Sequence, residues 1–158
     1  MEKNDNNSEL LQLVSFAIGK EEFGVNILKV QEIIRMIDIT QVPNSPDYVD
    51  GVINLRGRVI PVISLRIKLG LPRLEHSRDT RIIVVDLNGK TIGFIVDSVS
   101  EVLRIPRNIT EAPPAIASGM NADYITSIAR LEDKLLILLD LERILQSSEK
   151  LQLESIGD

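Results

Sequence analysis

Three aspartates and one histidine are the residues with which this chain could do acid–base chemistry, and their placement argues against it. Asp86, Asp97 and Asp140 could pair as general acid and base. They fall at repeat-related strand or helix ends, where turn and capping roles account for them. His76 is the only histidine and sits in a polar stretch, so neither a Ser-His triad nor a histidine metal site has its members. The absence of cysteine removes disulfides, thiolate ligands and Cys nucleophiles. The glycines follow neither GxGxxG nor P-loop spacing. The expectation is therefore a protein that is not an enzyme, with no catalytic residues, no metal and no cofactor.

What remains suits recognition. Asn54-Leu55-Arg56-Gly57-Arg58 puts two guanidinium groups on one tight turn. Arginine offers planar, multidentate hydrogen bonding, which interfaces favour. As solvated turn residues the same two would need no partner. Glu32, one helical step from an apolar face, can pair with Arg56, and such a surface pair fixes geometry more than stability. Met36-Ile37-Asp38-Ile39 is more apolar than a connecting segment needs. With Ile37 and Ile39 outward it is an edge-strand docking patch; with either inward, that residue is core.

The elements that would carry these residues come in two similar sets. Phe16 to Arg35 overlays Val85 to Arg104 at a shift of 69, matching Gly24 to Gly93, Val30 to Val99, Glu32 to Glu101 and Arg35 to Arg104. A second match, now shifted by 76, sets Asp47-Tyr48 on Asp123-Tyr124 and Val59-Ile60 on Leu135-Leu136. Two β-rich halves in series imply two small packed units with a seam between them, a usual place for partners to bind.

Local patterns fill in the plan. Leu10–Ile18 and Glu22–Asn26 read as strands around Gly19-Lys20-Glu21, and 27–35 as a helix through Ile27, Val30, Ile33 and Ile34. Asp38–Val42 reads as a short strand stopped by Pro43-Asn44-Ser45-Pro46. Tyr48–Leu55 and Arg58–Ile63 flank the Arg56-Gly57 turn, with Pro61 marking an edge strand or a bulge. Ser64 caps a short helix ended by Gly70 and Pro72, and the polar 72–80 stretch links the halves. Arg81–Leu87 and Thr91–Val96 form a hairpin through Asn88-Gly89, while Asp97–Leu103 fits either period. Prolines make 104–120 a long loop. Tyr124–Arg130 and Lys134–Leu139 form a last hairpin, and Asp140 caps a helix from Leu141 to Gln146 or beyond.

Many short strands with tight turns give a mainly β fold of two barrels in tandem with short helices and a C-terminal helix. Residues 1–8 form a disordered tail, 9–147 a folded domain of two β-barrel subdomains, split and intertwined near 72–80, and 148–158 a second tail.

Composition narrows the function classes. The chain has 158 residues and a net charge of −5, with 44% hydrophobic, 26% charged and 3% aromatic residues, and no Trp. The acidic balance opposes binding to phosphate backbones, and scarce aromatics deny single-stranded nucleic acid a stacking surface. No run of 18 apolar residues exists and the first residues are polar and acidic, which points to a cytoplasmic protein without membrane insertion.

The segments EEFGVNILKVQEI, PDYVDGVINLRGRVIPVISLRIKLG and IGFIVDSVSEVL together resemble the CheW family of bacterial chemotaxis coupling proteins. The similarity runs from about Leu10 to Leu145, and the run NLRG-x-x-x-P-x-x-x-L is specific to that family. The resemblance implies two SH3-like five-stranded β-barrels around a common core. It implies an adaptor without an active site that couples methyl-accepting chemoreceptors to the histidine kinase CheA and supports regulation of the kinase in receptor arrays. It is to the stand-alone adaptor, since 158 residues leave no room for a fused kinase or receiver domain.

By that resemblance the receptor's helical tip binds an inter-barrel groove at Val30, Glu32, Gly51 and Arg56, with Asn54 and Gly57 on the same turn. An apolar groove rimmed by Arg and Glu suits a helix. The regulatory domain of CheA docks barrel end to barrel end on Met36, Ile37 and Ile39. A second, ring-closing contact falls in the loop Pro113-Pro114-Ala115-Ile116. That loop runs one residue longer than the family pattern, with Ala115 or Ile116 where the family carries a bulky aromatic. A coupling protein of a parallel pathway, such as pilus motility, and a small nucleic-acid-binding barrel are the alternatives.

Overall fold

The computed structural model describes residues 10–114 and 124–145. The two tails, the predicted continuation of the last helix past Leu145, and Ala115 and Ile116 lie outside the described residues.

Hairpins lead because the turn residues dictate them. β1 (Leu10–Ile18) pairs antiparallel with β2 (Glu21–Asn26) across a turn that opens on Gly19. β4 (Val49–Leu55) and β5 (Arg58–Ser64) join at Arg56 and Gly57, whose φ values of +52° and +86° make the primed turn that matches strand twist. β6 (Arg81–Leu87) and β7 (Lys90–Val96) join at Asn88 and Gly89, at +54° and +84°. A carboxyl or amide three residues before each glycine closes the turn: Gly57 N–H donates to Asn54 Oδ1 at 2.8 Å and Gly89 N–H to Asp86 Oδ1 at 3.1 Å. β10 (Ile125–Arg130) and β11 (Leu135–Leu139) form the last hairpin.

The segment expected to be a helix at 27–35 is instead a 3₁₀ turn at Ile27–Lys29 followed by strand β3 (Val30–Arg35). Val30, Glu32 and Ile34 are half-buried while Gln31, Ile33 and Arg35 are exposed. Period two prevails because β-branched residues lose less in a strand and β6 offers a partner ladder. Likewise β8 (Ser98–Pro106) extends past the predicted start of the long loop, followed by a 3₁₀ turn and the two-residue β9 (Thr110–Glu111). The strand predicted at Asp38–Val42 reduces to a single bridge between Thr40 and Val52. Pro61 lies in an interior strand, one residue before β5 begins to pair with β7 at Val62, so its missing N–H falls at the end of that ladder.

The strands form two sheets, β8-β1-β2-β11-β10-β9 and β3-β6-β7-β5-β4, the pair of SH3-like barrels. The chain passes from the first sheet to the second after Asn26 and returns after Val96. The 72–80 link thus joins two strands of one sheet rather than two barrels. Each half contributes a hairpin to the other's barrel, and the join is a parallel pairing: β2 with β11, and β7 with β5. Gly24 and Gly93, the repeat-matched glycines, both sit in these joins. A Cβ on Gly93 would stand 2.7 Å from Ile82 Cγ2, and one on Gly24 3.2 Å from Leu138 Cδ2. Close strand approach is what these glycines permit.

Three apolar clusters follow. The largest lies between the sheets and draws Phe16, Ile18 and Phe23 from one, Ile83, Phe94 and Val96 from the other. Ile53, Ile60 and Val62 fill one barrel; Leu13, Leu136 and Ala129 fill the other. Among the described residues two short helices add Leu65, Leu141 and Ile144 to the cluster between the sheets: α1 (Leu65–Lys68), capped by Ser64, and α2 (Leu141–Ile144), capped by Asp140, which accepts from Glu142 N–H and Arg143 N–H. Ser64 and Asp140 are 76 apart, so the second repeat offset persists to the caps.

Candidate functional site

The second sheet becomes a barrel only if its outer strands, β3 and β4, are brought together, and the recognition residues make that closure. Thr40, just past β3, exchanges two 2.8 Å backbone hydrogen bonds with Val52 of β4. At the other end, Arg56 on the β4–β5 turn forms an ion pair with Glu32 of β3. Arg56 is exposed and Glu32 half-buried, so the pair orients the guanidinium at the surface. Its sequence-based expectation is met. Arg58 donates to Thr91 Oγ1 at 2.8 Å, tying the same turn to β7. Val59, next in β5, is 61% exposed and was not picked out by sequence. Its position beside two turn arginines was the available signal.

The structure unites Glu32, Asn54, Arg56 and Gly57 and sets two candidates apart. Val30 packs against the core between the sheets. Gly51 is buried in the bulge where β4 slips register between Val49 and Gly51, at φ +143°. A Cβ there would lie 2.2 Å from Thr40 O and 2.9 Å from Ile39 Cγ2. Gly51 is therefore placed against the Ile39 segment, with its backbone at the closure. A cavity of about 590 Å³ opens on the first barrel, lined by Leu13, Ile27, Leu28 and Leu138 among others, with Leu87 reaching it from the second sheet. Leu28 is 86% exposed at its rim.

Of the apolar run, Met36 and Ile39 are half-buried and pack onto the interior of the second barrel, while Ile37 is 38% exposed. Only Ile37 matches the outward reading; Met36 and Ile39 cap the barrel end. The pairing in the other barrel is repeat-related but differently charged. Lys134 bonds Glu22 at 3.0 Å where Arg58 meets Thr91. The Glu22 carboxylate raises the Lys134 pKa above its ordinary value. The positions matching Arg56 and Glu32 hold Glu132 and Glu101, two like charges that cannot repeat this ion pair.

The three aspartates do structural work. Asp86 closes a turn, Asp140 caps α2, and Asp97 accepts from Gly19 N–H at 2.8 Å and Arg66 Nη1 at 3.1 Å. Asp97 thereby connects the β1–β2 turn with α1 across the two sheets. No cluster of three or more metal-ligating side chains occurs among the described residues.

A CheW-like domain description matches residues 12–149, nearly the whole chain and both barrels. The chain belongs to the CheW family. Among its CheW relatives, the chemotaxis protein CheW of Helicobacter pylori is 41% identical over 145 residues, covering 91% of this chain and 87% of that one. The CheW of Klebsiella aerogenes is 34% identical over 146 residues, covering 92% and 88%. The crystal structure of scaffolding protein TtCheW from Thermoanaerobacter tengcongensis superposes with a TM-score of 0.81 at 34% identity, over 88% of this chain and 94% of that one. The intertwined barrels described above are thus the architecture of a CheW scaffold. No helix among the described residues is long and apolar enough to cross a membrane.

Proposed function

We infer that this chain is a chemotaxis adaptor that joins chemoreceptors to the histidine kinase CheA in the cytoplasm, and that separate faces of the second barrel serve the two partners. The observation that carries the division is the closure of β3 onto β4. It displays Arg56 at the surface, held by Glu32, at one end. It gathers Met36 and Ile39 at the other, with Ile37 exposed between them.

The receptor face consists of Glu32, Asn54, Arg56 and Gly57, with Val30 supporting β3 from beneath. A receptor tip is a helical hairpin, and the exposed Val59 beside the turn offers its apolar stripe a contact, while Arg56, held by Glu32, presents its remaining guanidinium donors to a carboxylate or carbonyl of the helix. Pre-organisation by Glu32 lowers the entropy lost on binding. The kinase face is the barrel end around Ile37, and Ala115 and Ile116 supply the ring contact.

Titration calorimetry with a soluble receptor fragment tests the first face. Arg56→Glu, which sets two carboxylates together, weakens receptor binding at least tenfold while the melting temperature stays within about 2 °C, as expected for an exposed pair. Unchanged affinity removes Arg56 from the site.

A further inference from the structure

The 72–80 link has no regular structure, yet it is fastened to the second barrel at defined points. Arg73 makes an ion pair with Asp50 at 2.6 Å and donates a second hydrogen bond to the Asp47 carbonyl at 2.8 Å. The Asp50 side chain is only 8% exposed, so this carboxylate is nearly enclosed by its partner. Arg66 Nε donates to the Pro72 carbonyl at 3.0 Å and, through its other arm, reaches Asp97. The link is a strap held by two arginines.

Fastening the strap creates a surface. A cavity of about 750 Å³ lies along one side, lined by Ile39, Val42 and Val49 from the barrel and by Leu74, Glu75 and His76 from the strap. A smaller one of about 170 Å³ lies on the other side, sharing Asp50, Arg73 and Leu74. Leu74 is 57% exposed, more than Ile37 at 38%. Ile39 itself is half-buried and gives this end of the barrel little free apolar area. The cavity rim also carries Asp47 and Glu75, both exposed, while the one arginine there is engaged by Asp50.

We propose that the strap is part of the kinase-docking surface: Leu74 is its apolar anchor, the Arg73–Asp50 pair its fastening, and the acidic rim the feature that selects a kinase surface carrying an aliphatic or aromatic side chain flanked by Lys or Arg. This rests on the kinase reading of Met36, Ile37 and Ile39, with which the cavity is continuous through Ile39. Apolar anchors seated in pockets dominate docking energy, and a charged rim adds specificity and rate. Arg73 is a positioning residue: it touches Asp50 and the Asp47 backbone and acts through where it holds Leu74.

The test is titration calorimetry of the full chain against full-length cognate kinase, at low and high salt. Leu74→Asp lowers affinity about tenfold or more, and Leu74→Ser by a smaller factor, while Leu74→Met stays within about twofold. Receptor-fragment affinity and melting temperature are unchanged in all three, since the side chain is exposed. Glu75→Lys weakens kinase binding at low salt and loses that effect at high salt. Arg73→Ala weakens binding of the kinase and leaves that of the receptor. Should the unaltered chain bind kinase and Leu74→Asp bind it equally well, the strap is no part of the interface and the kinase reading of Ile37 stands. Should the unaltered chain fail to bind kinase at all, that reading falls and the strap's role with it.

Discussion

Replacing Gly51 by alanine separates a contact residue from a fold residue. The glycine is buried at φ +143°, a region in which an L side chain is strained by about 1–2 kcal/mol. The new Cβ would stand 2.2 Å from Thr40 O and 2.8 Å from Thr40 C, both backbone atoms that cannot swing aside. The Thr40–Val52 bridge must therefore open, and its two 2.8 Å hydrogen bonds each contribute about 1 kcal/mol. Ile39, 2.9 Å from the same Cβ, is pushed off the barrel interior as well. Together these place the loss at about 3–5 kcal/mol, near 10 °C in melting temperature for a chain of this size. Urea unfolding gives the free energy directly, and amide exchange at Thr40 and Val52 locates the damage. The same variant loses kinase affinity, because Ile39 moves, whatever it does to the receptor. A melting temperature lowered by less than about 3 °C with only receptor binding lost would refute the reasoning and restore Gly51 as a direct contact.

Three further outcomes follow from the same geometry. Gly93→Ala destabilises more than Gly24→Ala in thermal melts, since the first meets the fully buried, β-branched Ile82 at 2.7 Å and the second meets leucine tips at 3.2 Å or beyond; equal losses would mean the two joins are equally pliant. Ile39→Asp lowers stability by about 2–4 kcal/mol whereas Ile37→Asp costs under about 1 kcal/mol and acts on kinase binding alone, a contrast that calorimetric scans of both variants read out. Lys134, its pKa raised by the Glu22 hydrogen bond, adds stability that is full below the ordinary lysine value of about 10.4 and is lost as pH climbs through the raised one. Lys134→Met flattens that alkaline loss in pH-dependent melts, and an unchanged profile would show that the pair contributes nothing.

Much of the architecture is legible in the residue pattern because turns are local. Arg56-Gly57 and Asn88-Gly89 fix two hairpins by backbone chemistry alone, and Ser64 and Asp140 announce the helices they cap. The stretch 27–35 misleads because Ile27, Val30, Ile33 and Ile34 satisfy a helical face while Val30, Glu32 and Ile34 satisfy a strand. Only the presence of β6 decides between them. Pairings between distant segments leave no local trace, so the exchange of hairpins between barrels and the parallel joins at Gly24 and Gly93 emerge only in three dimensions. The repeat and an intertwining of its halves were visible, but not which hairpins are exchanged. The site divides in the same way. Glu32 and Arg56 suggest each other by charge. Nothing in the sequence near Arg73 points to Asp50, 23 residues away, or separates a buried Gly51 from an exposed Gly57.

The central claim is that this chain bridges two partners, and sedimentation of receptor-bearing vesicles tests it most directly. Receptor vesicles, the full-length cognate kinase and this protein are mixed, and the kinase in the pellet is measured with and without the adaptor. Kinase that pellets in proportion to added adaptor, and no longer does with Arg56→Glu or Ile37→Asp, is the result expected. Kinase that stays in the supernatant while both proteins are folded and the adaptor pellets by itself would contradict the bridge.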